Sequence, residues 1–403
     1  MPDRIALTWS GNPARSIDVT WRTATSAAKP LVQITEAERL RGDIRSVASE
    51  ACRSIEASRE VFETDLGECY MNTCRVDDLE PAKMHAYRVG DGDYWSEWHQ
   101  FKTAAEQPAP FRFVYFGDAQ NDVRSLWSRV VREANQHAPR AAFMLHAGDL
   151  INRGNRDAEW GEWFEAGGWI NGMIPIVATP GNHEYDGGLA RHWRPQFSFP
   201  KNGPSGLEDT VYWFDYQGLA RIISMNSNEK IAIQSGWLES VLDDPKRPKW
   251  TILTFHHPVY SAAKARDNFL LRKAWRSVIE TNGVDLVLTG HDHAYARTPM
   301  GGPRNAPADQ NVSTGERRRS ANTVYVVSVS GPKQYTLQES WQVDRVASGV
   351  QLFQVVNVSK ESIDYEARLA TGELYDAFKL SKDADGTSKL EDTPVEVDPI
   401  RLR

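Results

Sequence analysis

Nowhere does the chain contain a run of about 18 consecutive apolar residues, so nothing in it reads as a membrane-spanning helix. The opening residues, MPDRIALTWS, lack the apolar stretch of a secretory signal and alternate like a strand. An exported product is therefore expected to have lost its signal. Cysteine is scarce: Cys52, Cys69 and Cys74 are the only three, all in the first quarter. Cys69 and Cys74 are close enough in sequence to bridge, which leaves the redox compartment open. Positive charge is not in excess either. The net charge of −7 implies no broad basic surface, which excludes a general nucleic-acid binder. An anionic substrate would need local positive charge.

What is present divides the 403 residues into two rhythms, as expected for a length beyond one hydrophobic core. From Arg4 to about Lys102 the pattern has period two: Ile5, Leu7 and Trp9 alternate, as do Ile17, Val19 and Trp21, with further runs at PLVQITEAE, REVFETDL and MHAYRVGDGDYW. This predicts an all-β sandwich over residues 1–104. TAAEQPAP, 103–110, has linker composition.

After Phe111 come short continuous apolar runs: FRFVYF, AAFML, MIPIVA, ARIISM, WTILTF, VDLVLT and TVYVVSV. Helical faces separate some of them, one built on Val123, Leu126, Trp127, Val130, Val131 and Ala134, another on Leu270, Leu271, Ala274, Trp275, Val278 and Ile279. Strands buried on both faces and alternating with helices predict a layered α/β domain over 110–380. The segment 299–322 has no periodicity and reads as a long loop or lid, with Arg317, Arg318 and Arg319 on a solvated face. Residues 381–403 read as a charged tail without a role.

In α/β folds ligands collect beyond the carboxyl ends of strands. Here five runs end in metal-ligand residue types: Gly117-Asp118, Gly148-Asp149, Gly181-Asn182-His183-Glu184, His256-His257-Pro258 and Gly290-His291-Asp292-His293. Singly, each has an ordinary reading as a turn, a helix cap or a core histidine. Jointly they predict a centre for two divalent cations, Zn, Mn or Fe, since such a pair needs an anionic bridge plus oxygen and imidazole donors. The absence of cysteine from the set argues against structural zinc.

The blocks FGDAQ, AGDLIN, PGNHE, LTFHHP and GHDHAYAR resemble those of the calcineurin-like metallophosphoesterase superfamily, and most closely its purple-acid-phosphatase-like branch. PDRIALTWSGNPARSIDVTWRT and LEPAKMHAYRVGDGDYWSEWHQFKT are similar to the fibronectin-type-III-like module preceding the catalytic domain there. The resemblance covers roughly residues 1–360. It implies a four-layer α/β metallophosphoesterase fold, a β-sandwich flanked by helices, behind an all-β fibronectin-III-like sandwich.

It also implies a binuclear phosphohydrolase acting on a small phosphorylated substrate, a phosphomonoesterase before a phosphodiesterase, with a metal-bridging hydroxide as nucleophile. Asp149 would bridge the metals, Asp118 and His293 bind the first, and Asn182, His256 and His291 the second. His183 would face the substrate; His257 would line the pocket or merely pack. An extracytoplasmic location is implied as well.

Two departures matter. Where the purple enzymes carry a tyrosine ligand, this chain has Asn152, so the protein should not be purple. Where many relatives run Asp-x-His, it has Gln120, and either amide could complete the first site. Tyr295 and Arg297 match the last block and read as a core contact or salt bridge. The rival classes are a protein-binding scaffold on a dead site and a glycan binder using the tryptophans of the sandwich. Trp160, Trp163 and Phe164 lie at helical spacing and read as packing.

Overall fold

A computed structural model describes residues 1–40, 52–306, 322–338, 341–383, 386–397 and 400–401. Most of the 299–322 loop, Arg317–Arg319 included, lies outside the described residues. None of the described helices is long and apolar enough to cross a membrane.

Two four-stranded antiparallel sheets make the N-terminal domain. One runs, edge to edge, Asp3–Thr8, Ile17–Thr23, Gly67–Val76, Ser58–Thr64; the other runs Arg53–Glu56, Leu31–Glu36, Met84–Gly90, His99–Lys102. Ile17, Val19 and Trp21 are buried as alternation predicts, but so are Asp18 and Thr20 between them. That polar face is covered by the second domain rather than by water: Thr20 Oγ1 donates to the Gln196 carbonyl at 2.8 Å, and Ser198 Oγ donates to Asp18 at 3.2 Å. Trp9 packs on Phe214 and Tyr216 of the second domain at ring distances of 5.6 and 5.7 Å. The three cysteines are free thiols. Cys69 and Cys74 share one strand five residues apart, an odd spacing that turns them to opposite faces, so the bridge suggested by their proximity does not form.

A buried ion cluster joins the domains. Arg4 grips both oxygens of Asp157 at 2.7 Å, and Arg22 reaches the same carboxylate at 2.8 Å. Burial pushes the Asp157 carboxyl up, but His192 and the two guanidinium groups outweigh it and hold the group well below the usual range. Asp157→Ala leaves Arg4 buried without its partner, and should cost about 3–5 kcal/mol, read as a fall in Tm.

The second domain is a sandwich of two mixed sheets between helices. The first sheet is ordered Ile176–Ala178, Met144–His146, Phe111–Phe116, Leu352–Val358, Ser362–Leu369, Leu374–Lys382, Ser388–Asp392. The second is ordered Tyr212–Tyr216, Ala220–Ser224, Trp250–Thr254, Leu286–Thr289, Val324–Val327, Tyr295–Arg297, Arg345–Ala347, Ile400–Arg401. In this sheet Ile222, Ile252, Leu286 and Val324 join the main core, whereas Ile223, Leu253, Val287 and Tyr325 pack with Leu238 and Trp275 of the helices Ile231–Leu242 and Phe269–Thr281. Apolar side chains on both faces explain why these strands read as continuous runs. Leu126 and Leu270, expected on buried helix faces, are 38% and 75% exposed. Trp160, Trp163 and Phe164 are buried.

The tail reading of 381–403 needs correction. The sheet continues past residue 380, with Ser388–Asp392 paired on Leu374–Lys382 as its edge, and Lys382 Nζ bonds Asp285 at 2.8 Å. A polar edge strand carries only a weak apolar pattern, so it passes for a tail. Tyr295 and Arg297 meet Asp376 at 2.8 and 2.7 Å inside the protein, a packing role.

Candidate metal centre

Parallel strands of both sheets end on one side of the sandwich, where a bridge between Asp118 and Val329 ties the sheets together. The turns beyond these ends bring together residues spread over 118–293. Asp149, His291 and His293 hold positive φ of 52°, 73° and 45°, backbone strain of about 1–3 kcal/mol each that surrounding bonds must offset. Close approach also requires glycine at 290, where an added Cβ would lie 2.2 Å from Asp118 Oδ1.

Two groups of donors face each other. In one, His291 Nδ1 lies 2.9 Å from Asn182 Oδ1 and 3.1 Å from His256 Nε2, which is itself 3.1 Å from that amide oxygen. In the other, His293 Nε2 lies 3.1 Å from Asp118 Oδ2 and 2.8 Å from Gln120 Nε2. Asp149 stands between them, its Oδ2 3.2 Å from His256 Nε2 and 3.1 Å from Gln120 Nε2. The other ring nitrogens are already used: His256 Nδ1 lies 2.9 Å from the Ala147 carbonyl and His293 Nδ1 3.0 Å from the Lys333 carbonyl. As N–H donors there, they leave both Nε2 lone pairs aimed inward, the arrangement of metal-ligating histidine.

His183 and His257 flank this cluster. His183 Nδ1 sits 2.6 Å from the Asn152 carbonyl, and its Nε2 is 4.0 Å from Asp149 Oδ2. His257 Nδ1 sits 2.8 Å from Ser227 Oγ, and its ring lies 4.1 Å from that of His291. The two amide candidates separate. Gln120 is fully buried inside the cluster, whereas the Asn152 side-chain oxygen accepts from Asn121 at 3.2 Å. Rotating the Gln120 amide by a half-turn exchanges its nitrogen and oxygen and presents an acceptor to the cluster.

The electrostatics fit a cation pair. Asp118 Oδ2 and Gln120 Oε1 are buried without hydrogen-bond partners. Burial, then the charge of Asp149, pushes the Asp118 carboxyl up to about 7, with His256 opposing. Burial also raises Asp149, but His256 and His183 overcome it and hold that carboxyl at about 2. Burial presses His256 down, yet the two carboxylates lift it to about 9. Burial and His256 push His257 to about 3; burial and Lys333 push His293 to about 3, so both are neutral lone-pair donors near pH 7. Carboxylates driven upward beside neutral imidazoles are relieved when positive ions sit among them.

Glu184 was visible in the sequence but carried no assigned role. Its carboxylate accepts N–H from Asp149, Leu150 and Gly181 at 2.9, 2.8 and 2.6 Å, stapling two ligand turns together. Burial and Asp149 push it up to about 8 against those three bonds. Glu184→Ala strands three buried donors, so a loss of roughly 3 kcal/mol or more is expected in denaturant unfolding, together with weaker metal retention. A glutamate three residues past a turn-forming glycine hints at such a staple. Ser227, Arg266 and Tyr335 carry no comparable signal.

Comparison with known proteins agrees with this geometry. The family described as Calcineurin-like phosphoesterase matches residues 111–295, and that described as Purple acid Phosphatase, N-terminal domain, matches residues 2–103. Acid phosphatase type 7 of Danio rerio is 26% identical over 267 residues, 57% of this chain and 57% of that protein. Fe(3+)-Zn(2+) purple acid phosphatase 12 of Arabidopsis thaliana is 25% identical over 321 residues, 74% of this chain and 65% of that protein. This chain thus spans less than two thirds of either relative. The structure of purple acid phosphatase PPD1 from yellow lupin superposes with a TM-score of 0.71 at 19% identity, covering 96% of this chain and 75% of that one, a likeness of fold. With both domains in this order, the chain belongs to the calcineurin-like phosphoesterase superfamily, in the branch that carries a purple acid phosphatase N-terminal domain.

Proposed function

We propose that the chain hydrolyses phosphoric esters, small phosphomonoesters foremost, at a centre of two divalent cations. The observation that carries this is the meeting of His256 Nε2, His291 Nδ1 and Asn182 Oδ1 within 3.1 Å of one another, three lone pairs whose repulsion a cation removes. Asn182, His256 and His291 would hold one ion, Asp118, His293 and Gln120 the other, with Asp149 shared. When bound, the cations supply Lewis acidity toward phosphoryl oxygens and lower the pKa of water.

The remaining roles fall to side chains at the open side. His183 is pinned through Nδ1 and keeps Nε2 free to hold a proton for the leaving oxygen. His257, kept neutral by burial and held by Ser227, walls the pocket beside His291. With Gln120 neutral and Asn152 turned to Asn121, the first site lacks the phenolate that favours ferric iron, so a colourless centre is expected. An extracytoplasmic location rests on the resemblance alone. The test is turnover of p-nitrophenyl phosphate by metal-loaded and chelator-treated protein; activity that survives complete metal removal would overturn the reading.

A further inference from the structure

Beside the metal cluster stand two cations that hold no metal. Arg266 Nη1 donates to the His291 carbonyl at 3.2 Å, and Nη2 donates to Tyr335 Oη at 3.3 Å. Its guanidinium lies 4.5 Å over the Tyr335 ring, and Lys333 Nζ lies 5.4 Å from the same ring. Tyr335 packs in turn on His293, ring centroids 4.6 Å apart. The described residues place no carboxylate within ion-pair distance of Arg266 or Lys333, although Asp122 lines a hollow of about 380 Å³ together with Lys333. Only two of the five N–H donors of Arg266 are used by described residues. The centre opens on this side: Asn182 is exposed and His183, His257 and His291 are half-buried, while Asp118, Asp149 and His256 are enclosed. In a chain of net charge −7, two unneutralised cations on one aromatic ring at this opening form a local anion trap.

We infer that Arg266 and Lys333, carried on Tyr335, bind a second anionic group on the leaving portion of the substrate. The preferred esters are then those whose leaving group itself bears a carboxylate or a phosphate. This deepens the phosphoesterase reading and rests on it. A transferred phosphoryl group would already have the two cations and His183; the Arg266–Tyr335–Lys333 wall lies to one side of them and suits the other half of the molecule.

The test compares kcat/KM for phenyl phosphate, 4-carboxyphenyl phosphate and inorganic pyrophosphate in wild type, Arg266→Gln, Arg266→Lys and Lys333→Gln. Wild type should favour a charged substrate over phenyl phosphate. Arg266→Gln should lower that preference about tenfold or more, the loss of one charge-assisted hydrogen bond, and Arg266→Lys should restore part of it. Whichever preference collapses, for the carboxylate or for pyrophosphate, names the source of the anion. An equal loss on all three substrates would overturn the inference while leaving the phosphoesterase reading intact. Calorimetry of metal-loaded protein with phenylphosphonate and 4-carboxyphenylphosphonate reads the same preference without turnover. Should wild type hydrolyse no ester, the phosphoesterase reading falls; equal calorimetric affinities for the two phosphonates would then reject the anion site, and tighter binding of the carboxylated one, abolished in Arg266→Gln, would sustain it.

Discussion

Replacing Asp149 by alanine is expected to abolish metal retention and phosphoesterase activity together. Its Oδ2 is 3.2 Å from His256 Nε2 and 3.1 Å from Gln120 Nε2, so it faces both donor groups. Its other oxygen accepts the His183 N–H at 2.9 Å, which fixes the turn that carries Asn182. No other carboxylate is placed to do both: Asp118 lies with His293, and Glu184 is spent on three backbone N–H groups. Several kcal/mol of transition-state stabilisation go with the cations, a fall in kcat/KM on the order of 10³-fold or more. Elemental analysis and initial rates on one preparation check this. Full activity with metal still bound would mean that the shared position belongs to another residue.

Replacing His183 by alanine should act differently, since its ring bonds the Asn152 carbonyl through Nδ1 and touches the cluster only at 4.0 Å. Metal content is expected to stay at the wild-type level while kcat falls on the order of 10²-fold or more, the usual contribution of a positioned acid. The loss should grow as the leaving group becomes more basic, because an alkoxide needs a proton where a nitrophenolate does not. A loss independent of the leaving group would instead assign His183 to charge stabilisation or to holding the turn.

The five strand-end blocks were legible for a physical reason. Strands such as Ala220–Ser224 and Leu286–Thr289 are apolar on both faces, so they appear as unbroken runs, and what interrupts each run is the functional turn. Period two in the first domain likewise revealed strands, but not that Asp18 and Thr20 face the second domain, because a polar face reads the same against water as against a polar interface. Cys69 and Cys74 looked like partners on distance along the chain alone, and strand geometry separates them. The choice between Gln120 and Asn152 could not be made from residue type, since both are amides; only packing buries one in the cluster and turns the other to Asn121. Arg266 and Tyr335 stand 69 positions apart and fit no motif, so their contact exists only in the fold.

Titrating purified, metal-stripped protein with Zn or Mn and counting ions by elemental analysis addresses the pairing of donors most directly. Saturation at two ions per chain, with phosphoesterase activity reaching its plateau only at the second and no visible colour, is the predicted result. Full activity at one ion per chain, or with none, would contradict it.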